Sequence, residues 1–196
     1  MRGIVITLVL TAIVVFASGA ALADCVSGTV TAEFQAVGPF AGLYKYTLDF
    51  TWDTPQGLSN VTLDCGFDCP LEACTHIWLF DTPSGTSDGE PAPCTVNYAG
   101  EFNCEGNPSI GNTNPVVKWD ALADSTGCEP ASTGSGTLCF YTEVAPQPNS
   151  SNPVFLVKNG TSVCSGVLTG DCPAACPVPV EQVTWGQVKA IFAPKK

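Results

Sequence analysis

The side chains best able to do chemistry crowd into Leu63–Phe80, LDCGFDCPLEACTHIWLF. This stretch holds Cys65, Cys69 and Cys74, the carboxylates Asp64, Asp68 and Glu72, and His76, the only histidine in the chain. Three cysteines and a histidine are zinc ligand types. Their spacing, C-x3-C-x4-C-x-H, lacks the paired short knuckles of a structural zinc site. Eight further cysteines compete for the same thiols, and in an oxidising compartment they pair as disulfides. Cys65, Cys69, Cys74 and His76 are thus metal candidates by residue type alone, and cross-linking is their expected role.

Gly85-Thr86-Ser87-Asp88-Gly89 matches the G-x-S-x-G nucleophile elbow. That motif works where a strand enters and a helix leaves, lifting the serine above a parallel sheet. Here Asp81-Thr82-Pro83-Ser84 precedes it and Glu90-Pro91-Ala92-Pro93 bars a helix after it. The histidine also precedes the serine, against that hydrolase order. A turn-rich loop over Asp81–Pro93 is the expectation. Eighteen acids offer many carboxylate pairs for a glycosidase, yet no spacing marks one. Asp81–Glu90, and Asp120 with Asp124, offer oxygens for calcium without the spacing of a calcium loop. Trp52, Trp78 and Trp119, with Tyr44 and Tyr46, are candidates for stacking on a sugar, although aromatics at strand period are usually core.

These residues sit in a chain built for export. Met1-Arg2, an apolar run from Ile4 to Phe16 and the small-residue site Ala21-Leu22-Ala23 describe a cleaved secretory signal over residues 1–23. The run is shorter than the roughly 20 apolar residues of a bilayer crossing. Cleavage removes Arg2, the only arginine, and leaves 6 Lys against 18 Asp and Glu, a net charge of 6 − 18 = −12. Such a surface is poorly made for nucleic acid, phosphate-bearing substrates or anionic membranes. All eleven cysteines follow the signal, which calls for disulfides. An odd count leaves at least one thiol outside that framework.

The elements that position the candidates read as strands. Val26, Gly28, Val30, Ala32 and Phe34 alternate with Ser27, Thr29, Thr31 and Glu33. After the turn Gly38–Gly42, Tyr44, Tyr46, Leu48, Phe50 and Trp52 alternate with Lys45, Thr47, Asp49, Thr51 and Asp53. Period two predicts a long antiparallel pair with one core face. Further strands are expected at Val61–Leu63, Thr75–Phe80, Val116–Asp120 and Thr137–Val144. Cys94–Cys104, CTVNYAGEFNC, reads as a hairpin with Tyr98-Ala99-Gly100 as its loop. That register sets Cys94 opposite Cys104 and predicts a bridge between them. Asn159-Gly160 marks another hairpin, setting Leu156 against Val163 and Phe155 against Cys164. Near the C-terminus the period changes. Thr184 with Gln187 makes a capping box, and Trp185, Val188, Ile191 and Phe192 share one helical face.

The expected architecture is all-β: one disulfide-rich antiparallel β-sandwich over 24–178, of about 8–9 strands and immunoglobulin-like or jelly-roll type. A tail over 179–196 carries the short C-terminal helix. Asn60-Val61-Thr62, Asn149-Ser150-Ser151 and Asn159-Gly160-Thr161 match the glycosylation sequon.

Gly42-Leu43-Tyr44-Lys45-Tyr46-Thr47, Ser132–Phe140 and the tail Thr184-Trp185-Gly186-Gln187-Val188-Lys189 carry a resemblance. They resemble uncharacterised secreted bacterial proteins, disulfide-rich β-domains ending in a Thr-Trp-Gly-x-x-Lys-like tail. The resemblance implies a bacterial source, which would make the sequons incidental. It supplies no activity and no site residues. The resulting expectation is a secreted or surface-displayed, non-catalytic interaction or structural module with an extracellular protein or glycan as partner. Its alternative is a carbohydrate-binding domain using exposed aromatics, with calcium as the one cofactor considered.

Overall fold

A computed structural model describes residues 24–67, 70–123, 127–148, 154–159 and 162–173. The expected signal at 1–23, the tail helix, Cys69, Cys176 and Asp124 lie outside these residues. The described chain is mostly strand: β1 Asp24–Phe34, β2 Tyr44–Asp53, β3 Asn60–Asp64, β4 Trp78–Leu79, β5 Gly85–Glu90, β6 Cys94–Asn103, β7 Val116–Ala121, β8 Glu129–Pro130, β9 Thr133–Thr142, β10 Pro146–Pro148, β11 Val154–Asn159 and β12 Ser162–Pro173. A single turn of helix, α1 Pro70–Ala73, and a 3-10 turn at Pro108–Ile110 interrupt them.

The strands make one curled, mixed sheet rather than the two facing sheets of the expected sandwich. Its order is β4-β9-β2-β1-β12-β11-β3-β7-β6-β5-β8. β9 also pairs with β5, through Gly85↔Leu138, Thr86↔Thr137 and Ser87↔Gly136, so the curl returns on itself. Alternation alone does not distinguish these outcomes, because sandwiches and curled sheets both need one buried face per strand. Within this order β1 lies beside β12, a parallel pairing that forms a seam between the first and last described strands. No hairpin rule foresees such a pair, since parallel neighbours are joined by long connections. The Cys25–Cys164 disulfide staples this seam.

The predicted β1–β2 pair forms over its whole length, with Val26 opposite Trp52 and Val30 opposite Leu48. Their inward faces, with Leu138 and Phe140 of β9 and Trp119 of β7, build the core. Tyr46 stacks on Phe140 with ring centroids 4.8 Å apart, and the buried Tyr46 hydroxyl donates to the Val144 carbonyl at 2.9 Å. Full burial of each such side chain contributes about 1.5–3 kcal/mol. β3 is buried on both sides. Val61 and Leu63 join the core, and the 104–114 connection covers its outer face. Asn107 Nδ2 donates to Thr62 Oγ1 at 2.8 Å, and Asn112 and Asn114 both donate to Asp64 Oδ2. The sequon residue Asn60 is only 6% exposed here.

Several local expectations are corrected. Cys94–Asn103 is one unbroken strand, not a hairpin, paired to β5 on one side and β7 on the other. Its two ends lie roughly 30 Å apart at strand rise, so Cys94 cannot meet Cys104. Cys94 bonds Cys128 and Cys104 bonds Cys74. Gly100 makes no turn: it pairs with Trp119, and a Cβ there would overlap the Phe80 ring. The stretch read as a loop holds strand β5. Thr75–Phe80 contributes strand only at Trp78–Leu79. β11 and β12 pair as foreseen but two residues out of register, with Val157 opposite Cys164 and Asn159 opposite Ser162. The slip preserves facing, because two residues is one full strand period.

Candidate functional site

Among the described residues, the cysteines of Leu63–Phe80 are tied into disulfides. Cys65 is bonded to Cys172 and Cys74 to Cys104, which removes both thiols as ligands. His76 Nδ1 lies 3.0 Å from Glu143 Oε1, and the same oxygen accepts the Ile77 N–H. The histidine hydrogen bond, with that N–H, holds the Glu143 carboxyl below the usual carboxylate range. Among the described residues no three His, Cys, Asp or Glu side chains are grouped to hold a metal.

The other candidates are taken up by the fold. Ser87 sits mid-strand, buried, with its Oγ 3.0 Å from the Tyr98 hydroxyl. No helix follows it, so it is no nucleophile elbow. Several of the acids read as calcium donors are engaged by neighbouring side chains. Asp81 accepts from the Tyr141 hydroxyl at 2.8 Å, Glu90 from Ser132, and Asp120 pairs with Lys118. Trp119 is fully buried, and Trp52 is 4% exposed with its Nε1 donating to Ala131 O. Trp78 lies flat on Phe102 at 4.0 Å and donates to Ala73 O. Trp52 and Trp119 belong to the core, and Trp78 is half-buried against it.

What the fold does build is a groove of about 620 Å³ on the outer face of β1, β2, β9, β5 and β6. That volume falls within the range of small-ligand sites, about 300–1,000 Å³. Two rows of side chains cross it. In one, Thr29, Asp49, Thr137 and Thr86 stand on successive strands. In the other, Ser27, Thr51 and Ser135 lead to Asp88 and Thr95. Every outward residue lining it is Ser, Thr or Asp, and none is Lys, Glu or Gln. Long charged side chains, the usual cover of a solvent-facing strand, begin only beyond it, at Lys45, Glu33 and Glu90.

The opposite face of the sheet is built on glycines. The inward positions beneath the groove include Gly28, Gly134 and Gly136. A Cβ at Gly136 would lie 2.8 Å from Phe50 Cζ, and one at Gly28 would collide with the Asp49 carbonyl. The Phe50 and Trp52 rings therefore lie directly against the glycine backbone of β9.

Both carboxylates are fastened to β9, from opposite sides. Thr137 Oγ1 donates to Asp49 Oδ1 at 2.6 Å. The Ser135 N–H and Oγ both donate to Asp88 Oδ2, at 2.7 and 2.9 Å. Asp49 Oδ2 and Asp88 Oδ1 accept no hydrogen bond among the described residues, and both residues are exposed and line the groove. Ser135 and Thr137 are two residues apart, about 7 Å along the strand. A hydroxyl both donates and accepts while a carboxylate only accepts. The surface therefore suits a ligand dense in hydroxyl groups and repels anions.

A second cluster lies one row further along β9. Cys139, the free cysteine among the described residues, is half-buried and pairs with Thr47 across the ladder. Its Sγ contacts the Ser84 carbonyl at 3.4 Å. Burial pushes the thiol pKa up; Lys45 opposes this and Asp81 adds to it. Tyr141, stacked on Phe40 at 3.9 Å, closes the cluster through Asp81.

Sequence reasoning named Ser27, Thr29, Asp49 and Thr51 only as the polar alternates of core strands. The signal available was their shortness: Ser27, Thr29, Asp49, Thr51, Ser135 and Thr137 hold no long side chain. What brings them together is strand order, which alternation does not encode. Comparison with protein-family models, with curated proteins and with solved structures gave no match.

Proposed function

We propose that the protein is an exported, disulfide-locked, non-catalytic binding module that works through the β1–β2–β9–β5–β6 groove. The observation that carries this reading is the groove itself: a hollow lined by short polar side chains on neighbouring hydrogen-bonded strands of one sheet. Its walls are fixed, so binding there costs little ordering of the protein. Export is supported by the signal-like N-terminus together with four disulfides among the described residues. A catalytic reading has less support. A glycosidase needs its two carboxyls in unlike environments, whereas Asp49 and Asp88 are both exposed and each takes a hydroxyl from β9.

The test is a mixed array of glycans, peptides and extracellular proteins, probed with wild type and with a groove-filled variant, Thr51→Arg/Thr137→Arg. Circular dichroism checks that the variant is folded. Binding by wild type that the variant loses supports the reading. Binding that survives filling, or an array with no bound partner, overturns it. So does turnover on a hydrolase panel that is lost in Asp49→Asn or Asp88→Asn.

A further inference from the structure

We infer that the ligand of this groove is a neutral oligosaccharide, held through its hydroxyls by the open oxygens of Asp49 and Asp88 and the hydroxyls between them. The inference rests on the binding-module reading above and names its ligand class.

Four observations converge on it. The lining holds no cationic side chain and two carboxylates, so phosphate, sulfate and uronic acid groups would enter against like charge. An extended peptide is a poor fit. Peptides bind sheets by pairing with an exposed edge, whereas β2, β9 and β5 are each paired on both sides where they floor the groove. Nor does the lining offer an apolar side-chain pocket, because Phe50 points inward and is 2% exposed. The remaining chemistry matches a sugar. Each carboxylate is fixed by one oxygen and presents the other, an acceptor for adjacent sugar hydroxyls. Ser135 and Thr137 of β9 lie between the two, and Ser27 and Thr51, 3.2 Å apart, continue the hydroxyl row beyond Ser135.

The strand spacing gives scale. Neighbouring strands lie about 4.8 Å apart, comparable with one hexose unit, so a chain crossing the strands would meet a fresh pair of polar side chains with each unit. Recognition would then rest on hydrogen bonds alone, without ring stacking by the candidates Trp52, Trp78 and Trp119.

The test is isothermal titration with neutral hexasaccharides (β-1,4-glucan, β-1,3-glucan, α-1,4-glucan and mannan) and with one sulfated counterpart, each with and without EDTA. At least one neutral chain is expected to bind, unaffected by EDTA, and the sulfated chain to bind more weakly. Asp49→Asn and Asp88→Asn should each weaken binding about tenfold or more, the scale of a lost charged hydrogen bond. Glu33→Gln, outside the groove, should leave it unchanged. Preference for the sulfated chain, loss of binding in EDTA, or indifference to both Asp variants overturns the inference. Groove-dependent binding to peptides or proteins without any to neutral glycans also overturns it, and leaves the binding-module reading standing. Absence of groove-dependent binding to any class brings down both.

Discussion

Thr137 and Asp49 face one another across the β9–β2 ladder, joined by a 2.6 Å hydrogen bond on the outer side. The inner side of the same ladder carries Phe50 beside Gly136 and Gly28. The hydroxyl row and the glycine row are thus two faces of one sheet. Gly28→Ala should destabilise the fold by about 1–3 kcal/mol, because its Cβ meets main chain that cannot retreat without breaking the ladder. Thr137→Val, on the solvent side, should stay within about 0.5–1 kcal/mol of wild type. Urea denaturation of both variants checks this. Equal stabilities would mean that the sheet does not rest on its glycines.

How much of this was legible in the sequence depends on distance along the chain. Val26–Phe34 and Tyr44–Asp53 announce their facing and their pairing, because both are local. The β1–β12 seam and the β5–β9 closure join segments far apart, and no residue pattern marks them. Tyr98-Ala99-Gly100 looks like a hairpin loop because glycine is the usual turn residue, yet Gly100 serves the packing of Phe80. Gly85–Glu90 looks like a loop because Pro91 and Pro93 follow. Its alternation, with Ser87 and Gly89 in and Asp88 and Glu90 out, was the better guide. The groove escaped notice for the same reason as the seam: its two rows exist only once five strands are in order.

The disulfides should rank by the chain they close. Cys25–Cys164 spans 139 residues and Cys74–Cys104 spans 30. Loop-closure entropy gives about 5 kcal/mol for the first and about 3.6 kcal/mol for the second. Double Cys→Ala variants followed by urea denaturation measure the difference. Non-reducing peptide mapping should recover Cys94 linked to Cys128, and a Cys94–Cys104 peptide would contradict the unbroken strand β6.

Alkaline pH should destabilise the fold through its tyrosines. Burial raises the pKa of Tyr46, Tyr98 and Tyr141, with the Asp171 charge adding at Tyr46 and the Asp81 hydrogen bond adding at Tyr141. A raised folded-state pKa favours the protonated form in the folded chain. The stabilisation is therefore complete below the unfolded value of about 10 and is lost as pH rises above it. Absorbance titration of phenolate should show these three ionising together with unfolding, late and steeply. A smooth titration of these three near pH 10 in a chain still folded would contradict the buried Tyr46–Phe140 core.

Acid should act on the Glu143–His76 contact in the opposite direction. Glu143 has a lowered folded pKa, so its contribution is present above the unfolded carboxyl value of about 4.3 and is lost as pH falls through the lower folded value. The pair is exposed on the glutamate side, which limits it to about 1 kcal/mol or less. Glu143→Gln should lower stability slightly at pH 7 and match wild type below about pH 3. Equilibrium unfolding at the two pH values decides it, and a deficit that persists in acid would assign the loss to packing rather than charge.

Cys139 should behave as a slow thiol. Its Sγ is half-buried against the Ser84 carbonyl and beside Asp81, and desolvation raises its pKa. Thiolate is the reactive form, so at a given pH the folded protein should be alkylated more slowly than the urea-unfolded chain. Its rate should climb with pH to a midpoint above that of an unfolded cysteine. Iodoacetamide labelling followed by peptide mass spectrometry, read at the Cys139 peptide, measures both. Because Cys139 lies one ladder step from the Thr137–Asp49 pair, on the same outer face, the label rate also reports on the groove. A bound chain covering that row should slow it further, whereas a ligand held elsewhere would leave it unchanged.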